Sequence, residues 1–542
     1  MMLVHKTLDR LREILRRGRD NWEIQRLAER LRPRFPRPKE TAPVIFFIAS
    51  SGTTDFTYNG AFNLLAAWGL RLQGIPVIHF ACHAGMLHCV LGTNRKKPYK
   101  PPPCRECILH SKAKLRGATV QWFPYEPDPN LAGAIQNLNL AELASFEYHH
   151  SASGIPSPIP LGSLVTPGLR WILRRYHLLD DEPTRYLYRD YILSAWNVAG
   201  QFTALLNRSH PQAVVVFNGQ FYPEAVARWV ARNQNIRVVA HEVGLQPFSA
   251  FFTEGEATAY PIHIPADFDL NGEQSARLDA YLEKRFQGQF SMAGVRFWQQ
   301  IKGLDEAFLK KAAQFKQIVP VFTNVIFDTS QPHANTVFPD MFSWLELVVT
   351  LMRTHPETLF VIRAHPDETR PGKESQETVQ DWVAEHGVTG LPNAVFIAPR
   401  EYFSSYELIQ RSKFVMVYNS TIGLEATLMG AAVLCGGKAR FTQYPTVFFP
   451  QSPDDFSQKA EEFLTDDQIK VPDEFRRNAR RFLYYQLFRS SLPLDPFLTT
   501  GPQPSLTRFR DFSWEQLSPE KSPAIEAILR GILDQGDFLL KS

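Results

Sequence analysis

Both halves of the chain alternate short runs of branched and aromatic residues with longer stretches of helical periodicity. This rhythm limits the available folds more than any other feature. In the first half, PVIFFIAS (43–50) and IPVIHF (75–80) flank the helical AFNLLAAWGLRLQ (61–73), and AVVVFNG (213–219) and IRVVAHE (236–242) flank PEAVARWVARN (223–233). In the second half, QIVPVFTNV (317–325), TLFVIRAHP (358–366) and NAVFIAP (393–399) are spaced by FSWLELVVTLMRTH (342–355) and ETVQDWVAEHG (377–387). Continuous apolar strands separated by helices are the unit of a parallel sheet covered on both faces. At 542 residues the chain is too long for one core. The expectation is an α/β protein of two Rossmann-like domains facing a cleft, with added helices at both ends. The boundaries read as a basic helical extension over 1–40, a first domain over 41–312, a second over 313–470 and a helical tail over 471–542.

The net charge of +4 is unevenly placed: the first 40 residues hold 12 Lys or Arg against 6 Asp or Glu, so the remainder is slightly acidic. Nucleic-acid binding calls for basic charge spread over one face, and here only Lys96, Lys97 and Lys100 form a patch outside the extension, so no nucleic acid is expected. Val4, Leu8, Leu11 and Leu15 fall on one helical face, with Arg10, Arg12, Arg16, Arg17 and Arg19 around it. That pattern fits an outer helix packed on its own domain, and it also fits peripheral contact with an anionic membrane surface. No apolar run is long enough to cross a bilayer and charges interrupt the N-terminus throughout, so the expected location is the cytoplasm, free or at the inner face of the membrane.

In FVMVYNSTIGLEATLMGAAVLCGG (414–437), a buried strand meets a helix at Asn419, Ser420 and Thr421. Either hydroxyl can cap the helix, and the free N–H groups of a helix start also suit a phosphate. Gly423 leaves the first turn bare for such an approach. Glu425, four residues after Thr421, suits a ribose diol. Ordinary capping with a solvent-facing glutamate is the competing reading. Arg363, His365, Pro366 and Glu368 follow one strand, and Asn324 and Asp328 follow another, so three polar loops open on the same sheet edge. Neither a GxxxxGK[ST] loop nor a GxGxxG helix start is present, which argues against an NTPase and a dinucleotide oxidoreductase.

The stretch NSTIGLEATLMGAAVLCGGKARF, with TNVIFDTS and VIRAHPDE before it, resembles the signature blocks of capsular and surface polysaccharide glycosyltransferases of the kind that includes the Kdo transferases. The good match covers about 317–445. Ala431-Ala432 stands where Lys-Pro is common in those proteins, and Phe441 where Tyr is common. The resemblance implies a GT-B fold that moves a sugar from a nucleotide-sugar donor to a surface or capsular glycan or glycolipid acceptor. It implies that Arg363 and His365 contact donor phosphates, and that Asn419, Ser420, Thr421 and Glu425 form the floor of the nucleotide site. The alternatives are a sugar-nucleotide epimerase of the same two-domain form and a zinc-containing nucleic-acid-binding protein.

A transferase that inverts by direct displacement needs a base for the acceptor hydroxyl. The candidates on the first domain are Glu242, supported by His241 at the end of a buried strand, and Asp55 in SSGTTDF. Cys82, Cys89, Cys104 and Cys107 form C-x6-C-x14-C-x2-C within the insert 82–107. That spacing predicts a structural Zn²⁺ on four thiolates, with His83 and His88 as further donors.

Overall fold

The computed structural model describes residues 2–49, 55–152, 154–287, 303–401, 403–503 and 505–541, with side chains from residue 12 onward. The expectations for Val4, Leu8, Leu11, Arg10 and the Ser51–Gly52 turn therefore lie outside the described residues or side chains.

Two α/β sheets form the frame. The first contains β1 (Val44–Phe47), β2 (Val77–Cys82), β3 (Val120–Phe123), β4 (Ala213–Phe217), β5 (Val238–Val243) and β6 (Ser249–Glu254). The second contains β7 (Gln317–Phe322), β8 (Thr358–Arg363), β9 (Ala394–Ile397), β10 (Val415–Val417) and β11 (Val433–Cys435). A last short strand, β12 (Leu492–Pro493), joins the first sheet. The orders are β12-β6-β5-β4-β1-β2-β3 and β11-β10-β7-β8-β9. All pairs from β1 to β5 and from β7 to β11 are parallel, whereas β6 runs antiparallel to β5 and to β12. Each sheet thus carries its parallel strands in the order third, second, first, fourth, fifth. That order leaves a crevice where the winding reverses, between β1 and β4 in one sheet and between β7 and β10 in the other. The expected pair of Rossmann-like domains with extra terminal helices is the architecture observed.

Burial on both faces explains the unbroken apolar strands. Val44 and Phe46 pack with the helices Tyr58–Leu72 and Pro523–Leu533, while Ile45 and Phe47 pack with the helix Glu182–Ser209 on the opposite face. In the second sheet, Val319, Val321 and Ile362 pack under the helix Met341–Thr354, and Val361, Val415 and Val417 face the other way.

Residues 471–542 do more than trail away. The helix Asp473–Tyr484 packs against the helices Ile422–Leu428 and Gly272–Phe286. The chain then returns to the first sheet as β12, pairing Leu492 with Ala250, and ends by packing Pro523–Leu533 against Tyr58–Leu72. At the other end, the helix Met2–Leu31 buries Ile24, Leu27 and Leu31 and leaves Ile14, Leu15 and Trp22 exposed. No helix among the described residues is long and apolar enough to cross a membrane.

Candidate functional site

A cavity of about 150 Å³ opens at the β7/β10 crevice of the second sheet. Thr323 follows β7, Arg363 and His365 close β8, and Ser420, Thr421 and Glu425 follow β10; all six line it. The strand-to-helix connections of three neighbouring parallel strands deliver these side chains to one edge.

Arg363 is buried, with Nη1 donating to the Ala398 carbonyl at 2.8 Å. Burial lowers its pKa to about 10, so it remains a cation at neutral pH. His365 begins the turn Pro366–Thr369, and its Nδ1 accepts the Asp367 N–H at 3.2 Å. An accepting Nδ1 puts the proton of the neutral ring on Nε2, which is then the donor. Burial lowers the His365 pKa and outweighs the opposing charges of Asp367 and Asp328, with Arg363 adding a smaller lowering, so the neutral ring is the favoured form.

Thr421 stands at the N-cap of the helix Ile422–Leu428, yet its side chain makes no capping bond. The first turn is satisfied instead by backbone carbonyls: Gly423 N donates to Ser420 O and Leu424 N to Thr421 O, both at 3.1 Å. Thr421 and the buried Ser420 both line the cavity. Gly423 also answers a packing constraint. A Cβ there would lie 2.9 Å from Val417 Cγ2 and 3.0 Å from Phe441 Cζ, so its bareness serves helix-to-strand packing. Asn419 is not part of the cavity lining; its Oδ1 accepts from Asn324 Nδ2 at 2.6 Å and ties the β7 and β10 loops together.

Glu425 is only 5% exposed. Its Oε1 accepts from Arg285 Nη2 at 2.6 Å and its Oε2 from the Tyr406 hydroxyl at 2.5 Å. The carboxylate is thus a buried, doubly bonded group on the cavity wall, and the solvent-facing reading is excluded. Arg285 and Tyr406 line the cavity with it. Sequence reasoning missed both, because one ends a helix some 140 positions away and the other sits in a short polar helix with no motif.

On the first sheet, Glu242 and His241 are consecutive residues of β5 and so point to opposite faces. His241 is fully buried; its Nε2 donates to Asn63 Oδ1 at 3.1 Å, and burial lowers its pKa to about 3. It packs beside Phe62, Phe217 and Phe252, and the geometry does not bring it to the Glu242 carboxylate. Glu242 accepts from Asn218 Nδ2 at 3.1 Å and from Val243 N at 2.9 Å. Burial raises its pKa, opposed by these bonds and by the charge of Arg440 from the second half. That guanidinium lies 3.5 Å over the Tyr260 ring, whose hydroxyl donates to Val243 O at 2.7 Å. Glu242 therefore sits where the two halves meet. Asp55 is held from the other side by the N-terminal helix: Arg16 and Arg17 donate to its carboxylate. Burial would raise its pKa, but those two arginines outweigh burial and lower it.

The zinc expectation is corrected. Among the described residues, no group of three or more His, Cys, Asp or Glu is placed to hold a metal ion. Cys82, Cys89, Cys104 and Cys107 are free cysteines: Cys82 ends β2, Cys89 lies in the following loop, and Cys104 and Cys107 begin the helix Cys104–Lys114. Burial raises all four pKa values, that of Cys82 to about 12, and so favours neutral thiols over thiolates. The Cys82 Sγ accepts the Gly85 N–H at 3.2 Å. Ordinary hydrogen bonds pin the insert where metal was expected to. His88 bridges the Asp190 carboxylate at 2.7 Å and the Lys100 carbonyl at 3.1 Å, and Thr93 meets the Tyr191 hydroxyl at 2.9 Å.

A family described as capsule polysaccharide biosynthesis protein matches residues 287–462. No curated protein matches the sequence. Among solved structures, the β-Kdo 2,4-transferase KpsC of Thermosulfurimonas dismutans is similar at 12% identity over 52% of this chain and 80% of that chain, with a TM-score of 0.33. UDP-GlcNAc 2-epimerase of Neisseria meningitidis is similar at 15% identity over 54% and 80%, with a TM-score of 0.25. The corresponding epimerase of Methanocaldococcus jannaschii is similar at 9% identity over 82% and 100%, with a TM-score of 0.25. Four UDP-GlcNAc 2-epimerases and two Kdo transferases are among the similar structures.

Proposed function

We propose that the chain is an enzyme acting on a nucleotide-linked sugar, with the nucleotide in the cavity at the β7/β10 crevice. The observation that carries this reading is the meeting of Arg363, His365, Ser420, Thr421 and Glu425 at one parallel-sheet edge. In this reading, Arg363 and the Nε2–H of His365 bind phosphate oxygens. Ser420 and Thr421 supply hydroxyl donors. Glu425, fixed by Arg285 and Tyr406, accepts from the ribose with its remaining lone pairs. Glu242 is the base, because a carboxylate with a raised pKa is a better proton acceptor than an ordinary one. His241 and Asp55 are held in other contacts and take no part in this scheme.

Two reactions fit such a site. One is transfer of the sugar to a surface or capsular glycan, which the family match over 287–462 supports. The other leaves the sugar on its nucleotide and inverts a ring carbon; UDP-N-acetylglucosamine 2-epimerases are the more numerous of the similar structures. One experiment separates them. A panel of UDP- and CMP-sugars is incubated in D2O, with and without an oligosaccharide acceptor, and followed by NMR. Release of free nucleotide that requires the acceptor identifies transfer. Deuterium entry at a sugar carbon with a new epimer and no acceptor identifies epimerisation. An unchanged spectrum for every donor under both conditions would contradict the proposal.

A further inference from the structure

A second cavity, of about 480 Å³, lies between the 91–103 loop and the end of the helix Leu161–Leu173. Arg95, Lys96, Lys100 and Arg174 line it, no Asp or Glu does, and Gly372 of the second half closes one side. Arg95 Nη1 donates to the Glu374 carbonyl at 3.4 Å across this junction.

Arg174 is the unusual member. It is 5% exposed, and its buried Nη1 has no hydrogen-bond partner. The guanidinium lies 4.0 Å over the Trp171 ring and 5.1 Å from that of Phe327. Stacking offsets part of the cost of burial but gives Nη1 no acceptor. Among the described residues, no carboxylate forms an ion pair with Arg174. Burial and then Arg95 lower its pKa to about 10, Glu374 opposes them, and the group stays charged at neutral pH. Glu374 turns elsewhere, its Oε1 accepting Gly372 N at 3.0 Å. Lys373 adds a further cation, 6.0 Å from the same Trp171 ring.

The backbone gives an independent sign. Arg174 caps its helix at φ +60°, ψ +34°, a left-handed conformation normally taken by glycine or asparagine. An arginine held there, buried and without an ion-pair partner among the described residues, is costly to the fold on two counts. An anion that enters the cavity would remove the electrostatic part. Gly372, on the wall of this cavity, follows closely on the turn Pro366–Thr369, which carries Asp367, a wall residue of the nucleotide cavity, so the two cavities are neighbours.

We propose that this basic cavity binds the carboxylate or phosphate groups of an acidic saccharide beside the nucleotide site. Only the saccharide part of this statement rests on the function proposed above; the anion site stands on Arg174 itself.

The test uses the full chain at fixed ionic strength. Trigalacturonate, inorganic tripolyphosphate and neutral maltotriose are titrated calorimetrically into wild type, Arg174→Gln and Arg95→Gln. At least one anion is expected to bind wild type about tenfold or more tightly than either variant, as expected for loss of a charged hydrogen bond. Maltotriose is expected not to bind. Binding of trigalacturonate alone points to a carboxylate ligand, and binding of tripolyphosphate alone to a phosphorylated one. Without anion, Arg174→Gln should melt no lower than wild type, since it removes an uncompensated buried charge, and it should lose the anion-induced rise in melting temperature. Absence of binding by both anions, or equal affinity in all three proteins, would overturn the proposal. UDP and CMP affinities are measured alongside. Their loss with anion binding intact sinks the nucleotide reading alone, and the converse result sinks the anion site alone.

Discussion

Replacing Glu425 by alanine would remove the carboxylate from a buried ion pair with Arg285 and from the Tyr406 hydroxyl. Breaking such a pair from one side costs about 3–5 kcal/mol, because the other charge stays buried. Urea unfolding of Glu425→Ala should show a loss of that order, and Glu425→Leu combined with Arg285→Met should recover most of it. A loss below about 1 kcal/mol, the usual worth of an exposed pair, would return Glu425 to the surface. Glu242 carries the complementary chemical prediction. Glu242→Gln keeps the shape and one of the two accepted bonds, from Asn218 or from Val243 N, but cannot accept a proton. Nucleotide affinity should survive while turnover falls by about 10²–10⁴. Its raised carboxyl pKa also predicts that wild-type activity fails on the acid side at a higher pH than an ordinary glutamate would give. Full activity in Glu242→Gln would remove it from the chemistry.

The connections after β8 and β10 are the elements on which the site depends. Glu368, in the turn Pro366–Thr369 that follows β8, is buried: Oε1 accepts Val379 N at 3.1 Å and Oε2 has no partner. Burial raises its pKa to about 8, against an unfolded value near 4.5. The folded state therefore holds this proton more tightly than the unfolded state does. The contribution is fully present below about pH 4.5 and is lost as pH rises through about 8. Glu368→Gln should flatten that decline and make the protein more stable than wild type above pH 8, by an amount of the order of a few kcal/mol. Unfolding at pH 5, 7 and 9 checks this, and parallel pH curves for the two proteins would contradict it. The sheet itself was legible: the apolar runs place nearly every parallel strand, because strands buried on both faces must be apolar throughout. β6 and β12 were not legible, since one is an antiparallel addition and the other only two residues long. The three cavity loops could be read from their polar residues after strand ends. Arg285 could not, because it reaches Glu425 from a helix of another region. The cysteine spacing misled because a chelating pattern in sequence does not by itself set ligands in an arrangement that can hold a metal, and among the described residues no such group is present.

The two halves of the molecule are joined by ionisable contacts on both sides of the cleft. His333 Nε2 lies 2.8 Å from the Glu256 carboxylate, and His177 bridges Glu377 at 2.5 Å and Asp340 at 3.3 Å. The Asp340 and Glu377 bonds outweigh partial burial and raise the His177 pKa to about 9, against 6.5 for the free residue. This clasp is fully present below about pH 6.5 and is lost as pH rises through about 9. It weakens again in acid, where Asp340 and Glu377, whose own values are lowered by His177 despite burial, finally take up protons. Amide exchange at 174–178 and 374–378 should accelerate between pH 7 and 10 beyond the intrinsic rate, and His177→Gln should abolish the excess. Equal protection in both proteins across that range would show that the clasp does not hold the halves together. The central claim, that a nucleotide occupies the β7/β10 crevice, is tested most directly by hydrogen exchange with UDP and CMP. Slowed exchange is predicted at 363–367, 404–406 and 420–425, and no change at the β1/β4 crevice of the first sheet. Binding of neither nucleotide, or protection confined to the first sheet, would contradict it.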